Sequence, residues 1–446
     1  MNVRAAKKLR PLACAVFVLT IAAGCSPRPN DGSQDDKAAE PASAASGKVT
    51  LKMMENLTNP QRTAILKDMI ASFEEEHPNI RVDLISPPFD QADETIGTML
   101  AAKVQLDVVE VRDVNIADYV SKDYIEPLDA YAATWHDFAT VANIPRSVGM
   151  VKDKLYFIAN GLYERQLYYR KDWFDQLHLT PPATWQELYE TAAKLTDPAN
   201  NRYGFSFRGA KGGNSVYDTM IRTYNGERMK VDDGAFLVDG TTIYSSPEAR
   251  QALDLFTRLY QDASPPESLY FGFEEQVNAF TSGQTAILLQ DSDVIQTLQA
   301  KMKPGVWATA PMPTGPSGKA LITVGAAGWG IPVQSSHKDE AWKLIAYLSS
   351  PQQNIELGKK YGLVPIHTLA ASDPFFMTGP YQPLIEMTNN PATYIYYRLP
   401  IGYPSYLGWE KESRTTIQEM LLGRATIEET LAKWDAFWKE QQRLMQ

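Results

Sequence analysis

The chain has 446 residues, 44% of them hydrophobic, and a formal net charge of −10 at pH 7. An acidic chain of this kind is a poor partner for nucleic acid or for an anionic lipid surface. We therefore expect no nucleic-acid partner.

The first 24 residues are typical of an export signal. Four basic residues precede an apolar run from Leu12 to Ala23, which is too short to span a bilayer as a stable helix. Removal of residues 1–24 takes away these four positive charges and changes the net charge from −10 to −14. The sequence then predicts a signal peptide over 1–24.

Cys25 follows three small residues, and no cysteine follows it. The segment Ile21-Ala22-Ala23-Gly24-Cys25 resembles the lipobox of bacterial lipoproteins, in which the cysteine is acylated, although leucine is more usual than Ala22. The alternative is a small core cysteine. Residues 25–47 contain few large apolar side chains that could form a core. This composition predicts a disordered linker from the lipidated cysteine. We expect a lipid-anchored protein on the extracytoplasmic face of the cell membrane.

About 400 residues follow the linker, which exceeds the size at which a single core keeps growing. Two lobes are therefore expected. The first elements alternate between strand and helix, which predicts a largely parallel α/β sheet. They are a strand over Val49 to Met54, a helix over Pro60 to His77, a strand over Ile80 to Ile85, a helix over Glu94 to Ala102 and a strand over Leu106 to Val111.

Later segments are mainly helical. Ser246 and Thr426 are typical helix N-caps, and Glu429 completes a capping box with Thr426. The predicted helices are Thr184 to Leu195, Ser246 to Tyr260, His337 to Ser349, Glu412 to Leu422 and Ile427 to Gln441. Ligands of open α/β sheets lie beyond the carboxyl ends of strands, and this rule points to Glu55, Asn56, Arg112 and Asp113.

Several segments, in order, resemble family 1 of the bacterial extracellular solute-binding proteins, the substrate receptors of ABC importers for sugars. The segments are "LDVVEVRDVNIADYVSKDYIEPLDAY", "LYFIANGLYERQLYYRKDWFDQLHLTPPATWQELYETAAKL", "FTSGQTAILLQDS", "GAAGWGIPVQSSHKDEAWKLIAYLSSPQQNIELGKKYGLVPIH" and "LLGRATIEETLAKW". With the lipobox they cover most of residues 25–446.

The resemblance implies a two-lobe α/β fold of the periplasmic-binding-protein type, with a ligand cleft between lobes that hinge strands join. Lobe one would comprise 48–158 and 324–368, and lobe two 159–323 and 369–446. The implied function is capture of a carbohydrate, an oligosaccharide in particular, and its delivery to the permease subunits of an ABC transporter. The implied protein is a monomer, is not an enzyme and needs no cofactor or metal.

Carbohydrate recognition needs aromatic platforms for C–H faces and planar polar partners for hydroxyl groups. With the family geometry, the expected polar partners are Glu55, Asn56, Asp113, Gln290 and Asp291. Asp113 has an alternative role as a helix N-cap. Tyr163 and Glu164 lie at the first crossover between lobes, where Arg165 or Arg170 has an alternative role as a lobe-to-lobe ion pair.

Trp329 and Trp409 are the expected stacking platforms, and the alternative for Trp329 is an anchor that packs the lobe. The tyrosine-rich loop from Tyr394 to Tyr406 is either a packed surface loop or one wall of an extended sugar groove.

The five histidines are scattered and no Walker loop, G-x-S-x-G elbow or Cys-His pair occurs. Two carboxylates from distant segments would leave no motif, so an exported glycoside hydrolase or lyase remains the alternative from another class. A sensory solute-binding protein would have an identical cleft.

Overall fold

The computed structural model describes residues 48–403 and 405–445. The predictions of a signal peptide, of a linker and of lipidation at Cys25 lie outside the described residues. Among the described residues, no helix is both long and apolar enough to cross a membrane.

The described residues form twelve strands. They are β1 (Val49–Met54), β2 (Ile80–Ile85), β3 (Val108–Arg112), β4 (Met150–Val151), β5 (Lys154–Leu155), β6 (Ile158–Tyr169), β7 (Tyr203–Phe205), β8 (Thr285–Asp291), β9 (Ala308–Ala310), β10 (Ala320–Ile322), β11 (Val324–Gly330) and β12 (Tyr394–Tyr396).

Seventeen α-helices lie between and after these strands. They are α1 (Pro60–Glu76), α2 (Phe89–Ala101), α3 (Asp113–Ser121), α4 (Asp129–Thr134), α5 (Asn143–Val148), α6 (Lys171–Gln176), α7 (Trp185–Leu195), α8 (Asn214–Asn225), α9 (Pro247–Ala263), α10 (Phe273–Thr281), α11 (Val294–Lys301), α12 (Lys338–Leu348), α13 (Pro351–Tyr361), α14 (Pro374–Met377), α15 (Gln382–Asn389), α16 (Tyr406–Leu421) and α17 (Ile427–Leu444).

Local capping chemistry starts several helices at the predicted residues. The Ser246 side chain accepts a hydrogen bond from Ala249 N–H at the start of α9. Thr426 and Glu429 form the predicted capping box of α17. These side chains satisfy N–H groups that would otherwise lack partners in the first turn.

Two helices begin earlier than predicted. Helix α2 begins at Phe89 and α16 at Tyr406, whereas the sequence predicts starts at Glu94 and Glu412. Neither start carries a side-chain cap. The sequence therefore offers no local signal for these boundaries.

The main sheet has the strand order β2-β1-β3-β11-β6-β8-β7, and β9 also pairs with β6. The pairs β1 with β2, β1 with β3 and β7 with β8 are parallel. The expectation of a largely parallel sheet is wrong for the centre, because β11 runs antiparallel to both β3 and β6, and β6 runs antiparallel to β8.

Two hydrophobic cores flank the central strands β6 and β11. We call the body around the first core the first lobe; its buried apolar residues fall within 51–159 and 329–366. The body around the second core is the second lobe; its buried apolar residues fall within 167–322 and 370–438, with Val114 added. Strand β6 contributes to both cores, so the two lobes share a continuous strand.

Candidate functional site: a cavity lined by both lobes

A cavity of about 890 Å³ is lined by residues of both lobes. This volume is near the upper end of the roughly 300–1,000 Å³ range of small-molecule pockets. Its aromatic lining consists of Tyr and Phe, and no Trp occurs among the described lining residues. These aromatic residues are Phe89, Tyr163, Phe273, Tyr361, Tyr397 and Tyr406.

Asp93 organises the polar edge of the first lobe. Its carboxylate accepts hydrogen bonds from Asn56 Nδ2 (2.9 Å), Arg112 Nη1 (2.8 Å) and Asn115 Nδ2 (2.6 Å). Burial opposes ionisation of Asp93, but Arg112 and the hydrogen bonds prevail and lower its pKa. Lys211 of the second lobe lies 3.7 Å from the same carboxylate, so this edge also contacts the opposite lobe.

Asp113 lines the cavity, as the sequence predicts for its position after β3. Both carboxylate oxygens are already engaged: Oδ1 accepts from Val114 N–H (2.8 Å) and Oδ2 from Ala326 N–H (3.1 Å). Burial raises the pKa of Asp113 to about 6, although Arg112 and these two hydrogen bonds oppose the rise. Asp113 thus ties α3 to β11 at the cavity wall.

Strand alternation separates the predicted residues of β6. Tyr163 and Arg165 line the cavity, and Glu164 points to the opposite side because successive side chains of a strand alternate. Glu164 is buried, and burial raises its pKa to about 7. This placement corrects the expectation that Glu164 lines the ligand site.

Arg165 pairs inside the second lobe. Its Nε lies 3.1 Å from Asp291 Oδ1, and its Nη1 donates to Ser215 Oγ. Arg170 pairs with the neighbouring Asp172 (2.6 Å). The lobe-to-lobe ion pair considered for these arginines is therefore absent among the described residues.

The end of β8 brings Gln290 and Asp291 to the cavity. Gln290 Nε2 donates to Gln276 Oε1 (3.1 Å), and Gln290 Oε1 accepts from Asp291 N–H (2.9 Å). Asp293, two residues further on, also lines the cavity. Burial and Asp291 raise the pKa of Asp293 to about 7, against the opposing effect of Arg165.

Comparison with known proteins identifies this architecture. A model of the bacterial extracellular solute-binding proteins matches residues 58–355. The chain belongs to this family. A putative binding protein of Brucella abortus is 24% identical over 410 residues, which cover 90% of this chain and 95% of the relative.

Two further similarities involve proteins whose ligands are stated. A mannitol-binding protein of Pseudomonas aeruginosa is 26% identical over 323 residues, covering 69% of this chain and 72% of that protein. The maltose-bound MalE3 structure of T. maritima has a TM-score of 0.77 and 22% identity, and the match covers 89% of this chain and all of that one. The structural match shows a shared fold.

Glu55 and Asn56 of this solute-binding protein lie behind the cavity wall instead of on it. Glu55 is buried and pairs with Arg62 Nη1 (2.8 Å). Arg62 also pairs with Glu110, whose carboxylate accepts from Asn56 N–H (2.8 Å) and Leu57 N–H (3.0 Å). The wall begins at Leu57, so this buried ion cluster supports the loop that lines the cavity.

The two predicted tryptophan platforms lie in the hydrophobic cores. Trp329 is 1% exposed, and the Arg62 guanidinium lies 5.8 Å from its ring centroid. Trp409 is fully buried and packs against Trp434 and Trp438. Neither ring offers a face to the cavity, which corrects the expectation of stacking.

The loop from Tyr394 to Tyr406 has a mixed role. Tyr397, Leu399 and Tyr406 line the cavity. Tyr403 instead packs against Trp438 and donates a hydrogen bond to Asp233 (3.1 Å). The loop therefore supplies part of the wall and part of the core.

Sequence reasoning missed nine acidic or basic residues of the wall, which are Asp90, Arg208, Lys211, Asp218, Glu274, Glu275, Asp293, Glu410 and Arg414. Glu410 follows the wrongly chosen Trp409, and Asp293 lies two residues after Asp291. The segment "RGAKGG" over 208–213 carries a usable signal, because it combines two basic residues with three glycines. No group of three or more His, Cys, Asp or Glu among the described residues is arranged to hold a metal ion.

Proposed function

We propose that this solute-binding protein is the receptor of an ABC importer and captures a carbohydrate in the cavity between its lobes. The observation that carries the proposal is a cavity with tyrosine and phenylalanine faces beside carboxylate, amide and guanidinium groups, the combination that carbohydrate C–H faces and hydroxyl groups require. The maltose-bound structural neighbour and the mannitol-binding relative support this ligand class.

Within this proposal the ligand is an oligosaccharide, which the large cavity volume supports. Asp113, Tyr163, Gln290 and Asp291 contribute to its binding wall. The lobes comprise 48–158 with 324–368, and 159–323 with 369–446; the division of the buried apolar residues between two cores supports these boundaries. Ligand contacts from both lobes stabilise a closed form, which docks as a monomer on the permease.

The protein acts as a receptor and not as a catalyst. Residues 1–24 direct export, and a lipid on Cys25 tethers the protein to the membrane through residues 25–47. Replacement Cys25→Ala in the full chain should move the protein from the membrane fraction to the soluble extracytoplasmic fraction. Unchanged membrane association of that variant would refute the anchor.

Thermal unfolding of the full chain with a panel of mono- and oligosaccharides, uronides and short peptides tests the function. A ligand that binds only the native state at about 100 times its Kd adds ~2.7 kcal/mol to the free energy of unfolding. The proposal predicts a carbohydrate that raises Tm and is recovered intact. A carbohydrate recovered in cleaved form would indicate a glycoside hydrolase or lyase, and a peptide ligand would refute the carbohydrate class.

A further inference from the structure

Four polar atoms of the cavity wall are shielded from solvent and have no hydrogen-bond partner among the described residues. They are Thr58 Oγ1, Arg208 Nε, Asp293 Oδ1 and the Tyr163 hydroxyl. A shielded polar atom without a partner costs free energy. All four belong to one cavity, so a bound polar ligand would remove this cost.

Arg208 and Asp293 are close enough for their charges to interact. Burial and the like charge of Arg165 lower the pKa of Arg208 to about 10, and the carboxylates of Asp291 and Asp293 oppose this shift. Arg208 nevertheless forms no ion pair with any described carboxylate, whereas Arg165 pairs with Asp291. Arg208 Nε, a donor, and Asp293 Oδ1, an acceptor, therefore belong to the same cavity wall and have no partner among the described residues.

The glycine-rich segment 208–213 holds Arg208 in place. Gly212 has φ +86°, and a Cβ there would lie 2.6 Å from Arg208 Nη2. A Cβ at Gly213 would lie 2.0 Å from the Arg208 carbonyl oxygen. The guanidinium also lies over the Phe273 ring, 5.7 Å from its centroid. Arg208 is therefore positioned by its own loop and not by an acidic partner.

The charge of the cavity wall limits the ligands that suit this donor and acceptor. Among the described lining residues, carboxylate side chains outnumber basic ones eight to five, so the wall offers an anion no large surplus of positive charge. Two adjacent hydroxyl groups can donate to a carboxylate and accept from a guanidinium at the same time. An uncharged diol meets both requirements.

We propose that Asp293 and Arg208 together bind one vicinal diol of an uncharged carbohydrate and that the cavity rejects the corresponding sugar acid. This assignment rests on the proposed function. It adds two binding residues and a charge rule to that function.

Calorimetric titration of the full chain tests the assignment. The neutral probes are D-glucose, D-mannitol and maltose, and the acidic probes are D-glucuronate and D-gluconate. We expect at least one neutral probe to bind at least tenfold more tightly than either acid. We also expect Asp293→Asn and Arg208→Gln each to weaken that probe at least tenfold. The matched controls Asp232→Asn and Arg424→Gln, at exposed positions, should change its Kd less than twofold.

The outcomes separate the two proposals. Wild-type affinity in both cavity variants, or tighter binding of an acid, would overturn the diol assignment and leave the receptor function standing. Absence of binding to every neutral probe would overturn the diol assignment, whereas the receptor function is overturned only if no carbohydrate of the wider panel raises Tm. If a variant fails to fold, deoxy derivatives of the bound probe test the wild-type protein instead. Removal of either hydroxyl of one vicinal diol should then weaken binding at least tenfold. Equal binding of all deoxy derivatives would overturn the assignment.

Discussion

The two lobes present the cavity with walls of different chemistry. In the first lobe two carboxylates are already engaged: Asp113, on the cavity wall, accepts two backbone N–H groups, and Asp93, beside that wall, accepts from three side chains. In the second lobe Arg208 and Asp293 keep atoms without partners. The carboxylates of the first lobe are thus held in place before a ligand arrives. We call the cavity-lining residues of the first and second lobes the first and second walls; the second wall holds the groups that select the ligand.

The largest expected effect concerns the buried ion cluster that supports the first-lobe wall of the cavity. Arg62 is buried between Glu55 and Glu110, and removal of one member of a buried ion cluster leaves uncompensated charge. Arg62→Met should lower the free energy of unfolding by about 3–5 kcal/mol in urea titrations.

The matched control is Arg250→Met, because Arg250 forms an exposed ion pair with Glu428 (2.6 Å). It should leave the free energy of unfolding nearly unchanged, because solvent screens an exposed ion pair. Equal effects of the two substitutions would show that the buried cluster does not stabilise the first lobe.

The next comparison is between two adjacent residues of α16: Trp409 lies in the core of the second lobe, and Glu410 lies in the cavity wall. Trp409→Ala removes a fully buried ring and should cost about 3–5 kcal/mol of unfolding free energy, while the folded variant keeps its ligand affinity. Glu410→Gln should weaken ligand binding without loss of stability, because burial raises the pKa of this carboxyl. Loss of affinity in Trp409→Ala alone would restore the stacking role.

The third prediction uses the pH dependence of the second wall. The groups whose charges act on or respond to Asp293 are Asp291, Arg165, Arg208, Tyr163, Tyr168, Tyr361 and Tyr381. If ionised Asp293 accepts the ligand hydroxyl, a pKa of about 7 makes affinity about tenfold weaker at pH 6 than at pH 8. Titrations of wild type and Asp293→Asn check this, since the variant should lack the pH dependence.

Stability of the free protein should follow pH in the opposite direction. The pKa values of Asp293, Glu164 and Asp113 rise to about 7, 7 and 6, above their values in an unfolded chain. The folded state therefore binds more protons than the unfolded state in this range, and stability decreases as pH rises from 6 to 8. A Tm of the free protein that is higher at pH 8 than at pH 6 would contradict these raised pKa values.

The smallest effect isolates the position of Arg208. Gly212 and Gly240 have φ values of +86° and +84°, but a Cβ meets Arg208 only at Gly212 and meets nothing within 4 Å at Gly240. Both Gly→Ala substitutions should cost about 1–2 kcal/mol of backbone strain, and only Gly212→Ala should weaken ligand binding. Equal affinities of the two variants would show that the loop does not position Arg208.

Local patterns predicted much of the fold and only part of the site. Strands β1 and β2 begin and end at the predicted residues, because apolar alternation and turn residues are local. The uncapped starts of α2 and α16 carry no such signal. Burial is set by distant segments, so no local pattern distinguishes Trp409 in the core from Glu410 in the wall.

Strand ends were the most useful guide to the site. They place Asp113, Gln290 and Asp291 on the cavity wall, whereas Glu55 and Asn56, at the end of β1, lie behind it. Glu164 does not line the cavity, because side chains alternate along β6 and those of Tyr163 and Arg165 are on the cavity side. The sequence alone does not show which side faces the cavity, since this depends on which face of the strand the second lobe covers.

The most direct test of a carbohydrate held between the lobes is a crystal structure of the full chain with the carbohydrate that raises its Tm most. We predict an intact, uncharged carbohydrate in the cavity, with a diol between Arg208 and Asp293 and further contacts to the first lobe. A ligand bound outside the cavity, or one that contacts a single lobe, would contradict the account.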